Sequence, residues 1–264
     1  MTDEPSNKPF PTPLKIRGRA HARPRHPPAA DGHDADFCQT CAFADVCLAV
    51  GYGMTELNAL HCLVEHVGPF RSGEYVFRDG DPFRSIFAVR AGTVKTSSVD
   101  HTGREQVLGF HLPGEVIGLN AIYPDRFPCN AITLEKTQCC RFSFPKISAL
   151  ATQMPAVQRH LFRMLSKEIG TAGSLAGDHS ADARVAAFLA DLSERYAARG
   201  LPGSRFHLSM SRADIANYLR LASETVSRVL TRFRSIGLID IVERELVLRD
   251  PPRLRDIGQD LLRG

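Results

Sequence analysis

The stretch SRADIANYLRLASETVSRVLTRF, Ser211 to Phe233, decides how the chain is read. Ser211 stands three residues before Asp214, the pattern of a capping box that opens a helix. Ile215, Ala216 and Leu219 give that short helix one apolar face. A break at Arg220 to Ala222 follows, and Ser223 is expected to cap a second helix. Val226, Val229 and Leu230 recur on its inner side. Two short helices joined by a tight turn make a helix-turn-helix. Beyond Gly237, LIDIV and ELVLR flank a turn at Glu243-Arg244 and have the form of a two-stranded wing.

The outward side of the second helix carries Glu224, Ser227 and Arg228, with Arg232 and Arg234 beyond. These residue types suit a helix lying in a DNA major groove. An arginine makes a bidentate contact to guanine, a glutamate accepts from the cytosine amino group, and a serine serves either purpose. Arg212, Arg220, Arg232 and Arg234 are placed to hold phosphates. The net charge of +4 permits this without requiring it, because the position of charge counts for more than its sum. The plainer alternative is a helical hairpin with a solvated basic face.

Upstream, residues 1–35 combine proline, glycine and mixed charge with almost no apolar periodicity, the composition of a disordered tail. From about Val67 to Phe144, short apolar runs are cut by glycines at 73, 80, 92, 103, 109, 114 and 118. That pattern predicts a small antiparallel barrel or sandwich. A long helix is expected from about Pro155 to His179. Leu161, Leu165, Ile169, Ala172 and Ala176 form one stripe on it, suited either to a second helix or to the chain's own barrel. Gly170, Gly173 and Gly177 weaken that helix by roughly 1 kcal/mol each relative to alanine. ADARVAAFLADLSERYAARG predicts a further helix ended by Gly200.

Seven cysteines occur, and three of them, Cys38, Cys41 and Cys47, have the spacing C-x2-C-x5-C. An odd count is a poor basis for a disulfide framework and a better one for metal or redox chemistry. Three thiolates can hold zinc or an iron–sulfur cluster if a fourth ligand comes from elsewhere. Cys62 and Cys129 are expected to be structural. No apolar run approaches the roughly 18 residues of a membrane span, and no signal sequence is evident, so the expected location is the cytoplasm, with no membrane partner. No nucleophile–base pair, phosphate loop or paired-carboxylate arrangement points to an enzyme.

Together these residues resemble the CRP/FNR superfamily of bacterial transcription regulators. The resemblance covers roughly residues 36–250. It rests on FAVRAGTVK and GFHLPGEVIG, on the helix after QMP, and on the helix-turn-helix. The pattern E-x-x-S-R, here Glu224, Ser227 and Arg228, is similar to the FNR oxygen-sensor branch. One departure is Arg220, at a turn position often held by glycine. The resemblance implies an α+β fold: a cyclic-nucleotide-binding-like jelly-roll barrel, a dimerisation helix and a winged helix-turn-helix. The expected boundaries are 36–150 for the cysteine arm and barrel, 151–180 for the dimerisation helix and 181–264 for the DNA-binding domain.

The resemblance further implies binding to double-stranded DNA at TTGAT-type half-sites, as a homodimer. Cyclic-nucleotide binders hold the phosphate with an Arg-Ser or Arg-Thr pair before an alanine. Here Cys129-Asn130-Ala131 stands in that place, which implies no cyclic nucleotide. By the same resemblance the fourth cluster ligand is Cys140, framed by Leu134-Glu135 and Phe144, with Cys139 as a near alternative. Adjacent strand residues point to opposite faces, so only one should bind. Cys38, Cys41, Cys47 and Cys140 would hold a 4Fe–4S cluster in the absence of oxygen, with a 2Fe–2S form as its oxidised product. Structural zinc, or a thiol redox switch, are the alternatives for the same cysteines. Finally, Asp100, His101, Thr102, Gly103 and Arg104 form a turn that in FNR relatives touches RNA polymerase; a plain hairpin is the alternative.

Overall fold

The computed structural model describes residues 47, 55, 59–60, 63–174 and 179–262. The predicted tail, Cys38, Cys41, Cys62 and Ala176 lie outside the described residues, as does the side chain of Ala172. Among the described residues, eight strands lie between 64 and 143: β1 (Val64–Phe70), β2 (Tyr75–Phe77), β3 (Ser85–Ala91), β4 (Val94–Val99), β5 (Glu105–His111), β6 (Val116–Ile117), β7 (Asn130–Thr133) and β8 (Thr137–Ser143). They form two antiparallel four-stranded sheets, ordered β1-β8-β3-β6 and β2-β7-β4-β5. This is the expected jelly roll.

Phe77 on one sheet and Phe87 on the other lie 5.8 Å apart, ring to ring, and Phe127 stacks on Phe77 at 3.9 Å. Aromatic rings therefore fill the space between the sheets. The sheet pairing needs a close turn at Gly92, between β3 and β4. Its φ is +83°, and an added Cβ would lie 2.6 Å from the Lys136 carbonyl oxygen. Only glycine fits both the conformation and the space there.

Helix α1 (Phe144–Gln153) follows β8 directly and packs on β8 and β3, burying Ile147. No helix is expected here from the sequence; Pro145 stands in its first turn, where a proline is tolerated. Helix α2 (Pro155–Ser174) starts at the expected proline. It does not run to His179, which is not helical; the glycine-rich end is a poor helix former. Ser180 instead caps α3 (Ala181–Ala197), accepting from the Ala183 N–H at 3.2 Å.

The C-terminal part holds β9 (Arg205–His207), α4 (Arg212–Leu219), α5 (Ser223–Ser235), β10 (Ile239–Val242), β11 (Glu245–Leu248) and α6 (Pro251–Leu262). The wing is a three-stranded sheet ordered β10-β11-β9, one strand more than the sequence showed. Helix α6 was also not foreseen. It packs along α3, where Gly258 brings its backbone against Ala187.

Candidate functional site

The capping box is formed as expected. Ser211 Oγ accepts from the Asp214 N–H at 3.0 Å, and Asp214 Oδ2 accepts from the Ser211 N–H at 3.2 Å. The turn then passes through Arg220 at φ 56°, ψ 45°, the left-handed conformation that glycine normally supplies. The cost of a side chain there is roughly 1 kcal/mol or more. Ser223 is not the second cap. The N-cap is Ala222, whose extended backbone leaves the left-handed turn and whose methyl group offers no acceptor; Ser223 is the first helical residue.

Val226, Val229, Leu230 and Phe233 anchor α5 in the core, and Glu224, Ser227 and Arg228 are exposed on its other side. Arg228 donates to Thr225 Oγ1 at 3.2 Å, which holds the guanidinium over the first turns of the helix. Arg232 is engaged as well, in an ion pair with Asp182 at the start of α3. Arg212 is half-buried at the start of α4 beside Arg244 of the wing turn. Burial and that second guanidinium both lower its pKa. An anion would relieve this crowding of positive charge.

Cys139 and Cys140 are both buried, on opposite faces of β8. Cys139 lies between Val67 and Val89, and Arg141 two residues on lies opposite Phe87. Phe87 meets Phe77 of the other sheet, so this is the inner face. Burial pushes the Cys139 thiol up to about 12. Cys140 lies between His66 and Ala88 on the outer face, beside Phe142 and Ile86. That face is covered by α1, and the same cluster takes in Leu60, Cys47, Leu161, Met164 and Leu165. Cys47, the last cysteine of the arm, is half-buried there, and His160 on α2 hydrogen-bonds its backbone. Cys47 thus packs against the barrel core that holds both Cys139 and Cys140.

The stripe on α2 is divided. Leu161 and Leu165 are half-buried against the chain's own barrel, whereas Ile169 is 74% exposed. Phe162, which the stripe did not include, is 61% exposed. The turn between β4 and β5 is exposed and braced by its own hydrogen bonds. Asp100 Oδ1 accepts from the Thr102 hydroxyl at 2.6 Å, the Thr102 N–H at 2.8 Å and the Arg104 N–H at 3.0 Å, and Gly103 sits at φ 80°. The Thr102 hydroxyl first, and then the Arg104 N–H, lower the Asp100 pKa. His101 and Arg104 are left projecting.

At the place of the missing phosphate-binding pair, Cys129 is 1% exposed and takes a hydrogen bond from Asn120 at 3.5 Å. Glu115 of the neighbouring Gly114-Glu115 turn points away from the barrel interior, to Arg195 and Arg199 of the α3 region.

Comparison with known proteins matches residues 183–257 to the Crp-like helix-turn-helix domain family and residues 68–153 to the cyclic nucleotide-binding domain family. The chain is 40% identical over 230 residues to the transcriptional activator protein anr of Pseudomonas aeruginosa, covering 86% of this chain and 94% of that protein. It is 41% identical over 216 residues to the transcriptional activator protein FnrA of Stutzerimonas stutzeri, covering 81% and 88%. Among solved structures, FixK2 from Bradyrhizobium japonicum is similar with a TM-score of 0.65 and 29% identity, over 74% of this chain and 96% of that one.

Proposed function

Because the chain belongs to the CRP/FNR superfamily of transcription regulators, among its FNR-type members, we propose that it is an oxygen-responsive activator of anaerobic genes. In this reading it acts in the cytoplasm as a homodimer, holds a 4Fe–4S cluster, and reads TTGAT-type half-sites. Its relatives are named as transcriptional activators and as an anaerobic regulatory protein, which supports this.

The observation that supports the sensing half of the proposal is that Cys47 packs against the barrel core that holds Cys140, with its backbone bonded by His160 of α2. Of the two cysteines on β8, Cys140 is on the outer face, which α1 covers, and Cys139 faces between the sheets. The donor set fits the group, since Cys38, Cys41, Cys47 and Cys140 are all thiols and iron–sulfur clusters are held by thiolates. When bound, the cluster would supply an oxygen-labile link between those sulfurs. Leu161 and Leu165 of α2 pack against the same barrel core as Cys47, which would couple the arm to α2. Phe162 and Ile169 on the open side of α2 offer an apolar surface to a second copy.

For DNA, Arg228 would take the guanine and Glu224 the cytosine amino group of the internal pair, with Ser227 between them. Arg212 would hold a phosphate, and Arg232 would do so once parted from Asp182. The buried Cys129 and the stacked phenylalanines favour a barrel that takes no cyclic nucleotide. The Asp100–Arg104 turn is offered to RNA polymerase.

The test is anaerobic purification of the full chain with iron and sulfide analysis, followed by binding to a TTGAT palindrome before and after air. Four irons and four sulfides per chain, with binding lost in air, are expected. Colourless protein with one bound zinc would overturn the cluster in favour of the structural-metal alternative.

A further inference from the structure

Polar links join the barrel to the C-terminal part, both at the helix-turn-helix and at α3. Strand β5 is the edge of its sheet, and Asn217 of α4 covers it. The Val107 N–H donates to Asn217 Oδ1 at 2.8 Å, and Asn217 Nδ2 donates to the Glu105 carbonyl at 2.7 Å. Lys95 on β4, only 10% exposed at its side chain, reaches Glu105 at 2.9 Å and Asp214 of α4 at 2.8 Å. Glu135, in the turn between β7 and β8, accepts from Ser209 at 2.6 Å and from Thr93 at 2.7 Å. Glu115 accepts from Arg195 Nε at 2.9 Å, from Arg195 Nη2 at 2.6 Å and from Arg199 at 2.5 Å.

Between these links the two parts share a core. Val107, Phe110 and Leu112 of the β5 region are buried in one cluster with Ile215, Ala216, Leu219 and Val226 of the reading head. Apolar contact of this kind, locked by buried polar pairs, makes two parts move as one body. None of the linking residues lies on the reading face of α5, which stays open.

We propose that the docking of α4 on β5 sets the spacing and rotation between the two reading helices of the dimer, and that Lys95 and Asn217 are positioning residues for half-site spacing. The inference rests on the reading of the chain as a dimer on palindromic DNA. A dimer places its two reading helices about one helical turn, roughly 34 Å, apart. A head tethered only by the chain between α2 and α3 would tolerate changes in that distance. A head clamped to the barrel carries the geometry of the dimer to the DNA. Moving one half-site by two base pairs displaces it by about 7 Å and about a fifth of a turn, so a clamped head must reject it.

The experiment measures binding of the anaerobically purified full chain to a palindrome series with half-sites moved in or out by one and two base pairs, and to a single half-site. Asn217→Ala and Lys95→Met are compared with the unaltered chain and with Lys95→Arg, which can still reach both carboxylates. Thermal melts confirm that each is folded. The two disruptive variants are expected to lose about tenfold of the preference for the best spacing, with single-half-site affinity unchanged and Lys95→Arg behaving as the parent. An unchanged spacing profile in the folded variants, or a parallel fall in half-site affinity, would overturn the inference. A parent chain with no spacing preference would sink the dimer reading and this inference with it, and so separates the two failures.

Discussion

Cys139 and Cys140 are neighbours in the chain and face opposite sides of the same sheet. Cys139 points between the sheets, and Cys140 points to the outer face, which α1 covers. Cys140→Ser is therefore expected to abolish iron and sulfide incorporation, whereas Cys139→Ser should keep both. Metal and sulfide analysis of anaerobic protein checks this. Retention of the cluster in Cys140→Ser would assign the fourth ligand elsewhere.

The pairing of Arg232 with Asp182 makes a second prediction. An exposed ion pair contributes little to stability, about 0–1 kcal/mol, so Asp182→Asn should fold normally. With Arg232 released, DNA binding should strengthen and its dependence on salt should steepen by about one counterion per protomer. Arg228→Ala should behave differently. It should cost about 1–3 kcal/mol and relax discrimination at one G·C pair, with less change in salt dependence. Binding curves at several salt concentrations, on matched and substituted sites, separate the two.

The divided stripe on α2 allows association and barrel packing to be tested apart. Ile169→Glu places a charge on a side chain that is 74% exposed within the protomer, so the fold should be unaffected and the dimer weakened. Leu161→Ala and Leu165→Ala remove groups packed on the barrel and should lower stability by about 1–3 kcal/mol, with a smaller effect on association. Sedimentation and denaturant titration give the two quantities. A fully dimeric Ile169→Glu would remove this face of α2 from the interface.

What the sequence discloses here follows its periodicities. The capping box at Ser211, the inner face of α5 and the β10–β11 wing are local patterns, and each is present where the spacing puts it. The side of β8 on which Cys140 lies follows from strand alternation only once Phe87 marks the inner face. The links between barrel and reading head have no local pattern. Lys95 and Asp214 are 119 residues apart, and Arg195 and Glu115 are 80 apart. Arg195 belongs to an amphipathic helix in which a charged residue is expected on the solvent side, so nothing in its neighbourhood signals burial. The split of the α2 stripe was hidden for a related reason, since helical spacing does not say which partner a face meets.

Glu115 and His111 make the stability of the chain sensitive to acid. Burial alone would raise the Glu115 pKa, but the guanidiniums of Arg195 and Arg199 outweigh it and hold the carboxyl at about 2, against an ordinary 4.5. Its contribution is complete above pH 4.5 and is lost as the pH falls toward 2. His111 lies beside it, against Thr96, and faces Glu115 and Arg195. Burial is the main cause that lowers its pKa to about 4 from 6.5; Glu115 opposes the shift and Arg195 adds to it. The folded chain therefore binds the proton less readily than the unfolded one, and stability falls as the pH drops from 6.5 toward 4. The two windows join, so stability should decline continuously from pH 6.5 downward, with His111 accounting for about 3 kcal/mol of the upper part. His111→Gln keeps a polar group near Thr96 and cannot titrate. Urea midpoints of the full chain at intervals between pH 7.5 and 4.5 should slope in the parent and slope less in His111→Gln, where the half-buried His160 still titrates. Equal slopes in the two would assign the acid sensitivity to other groups.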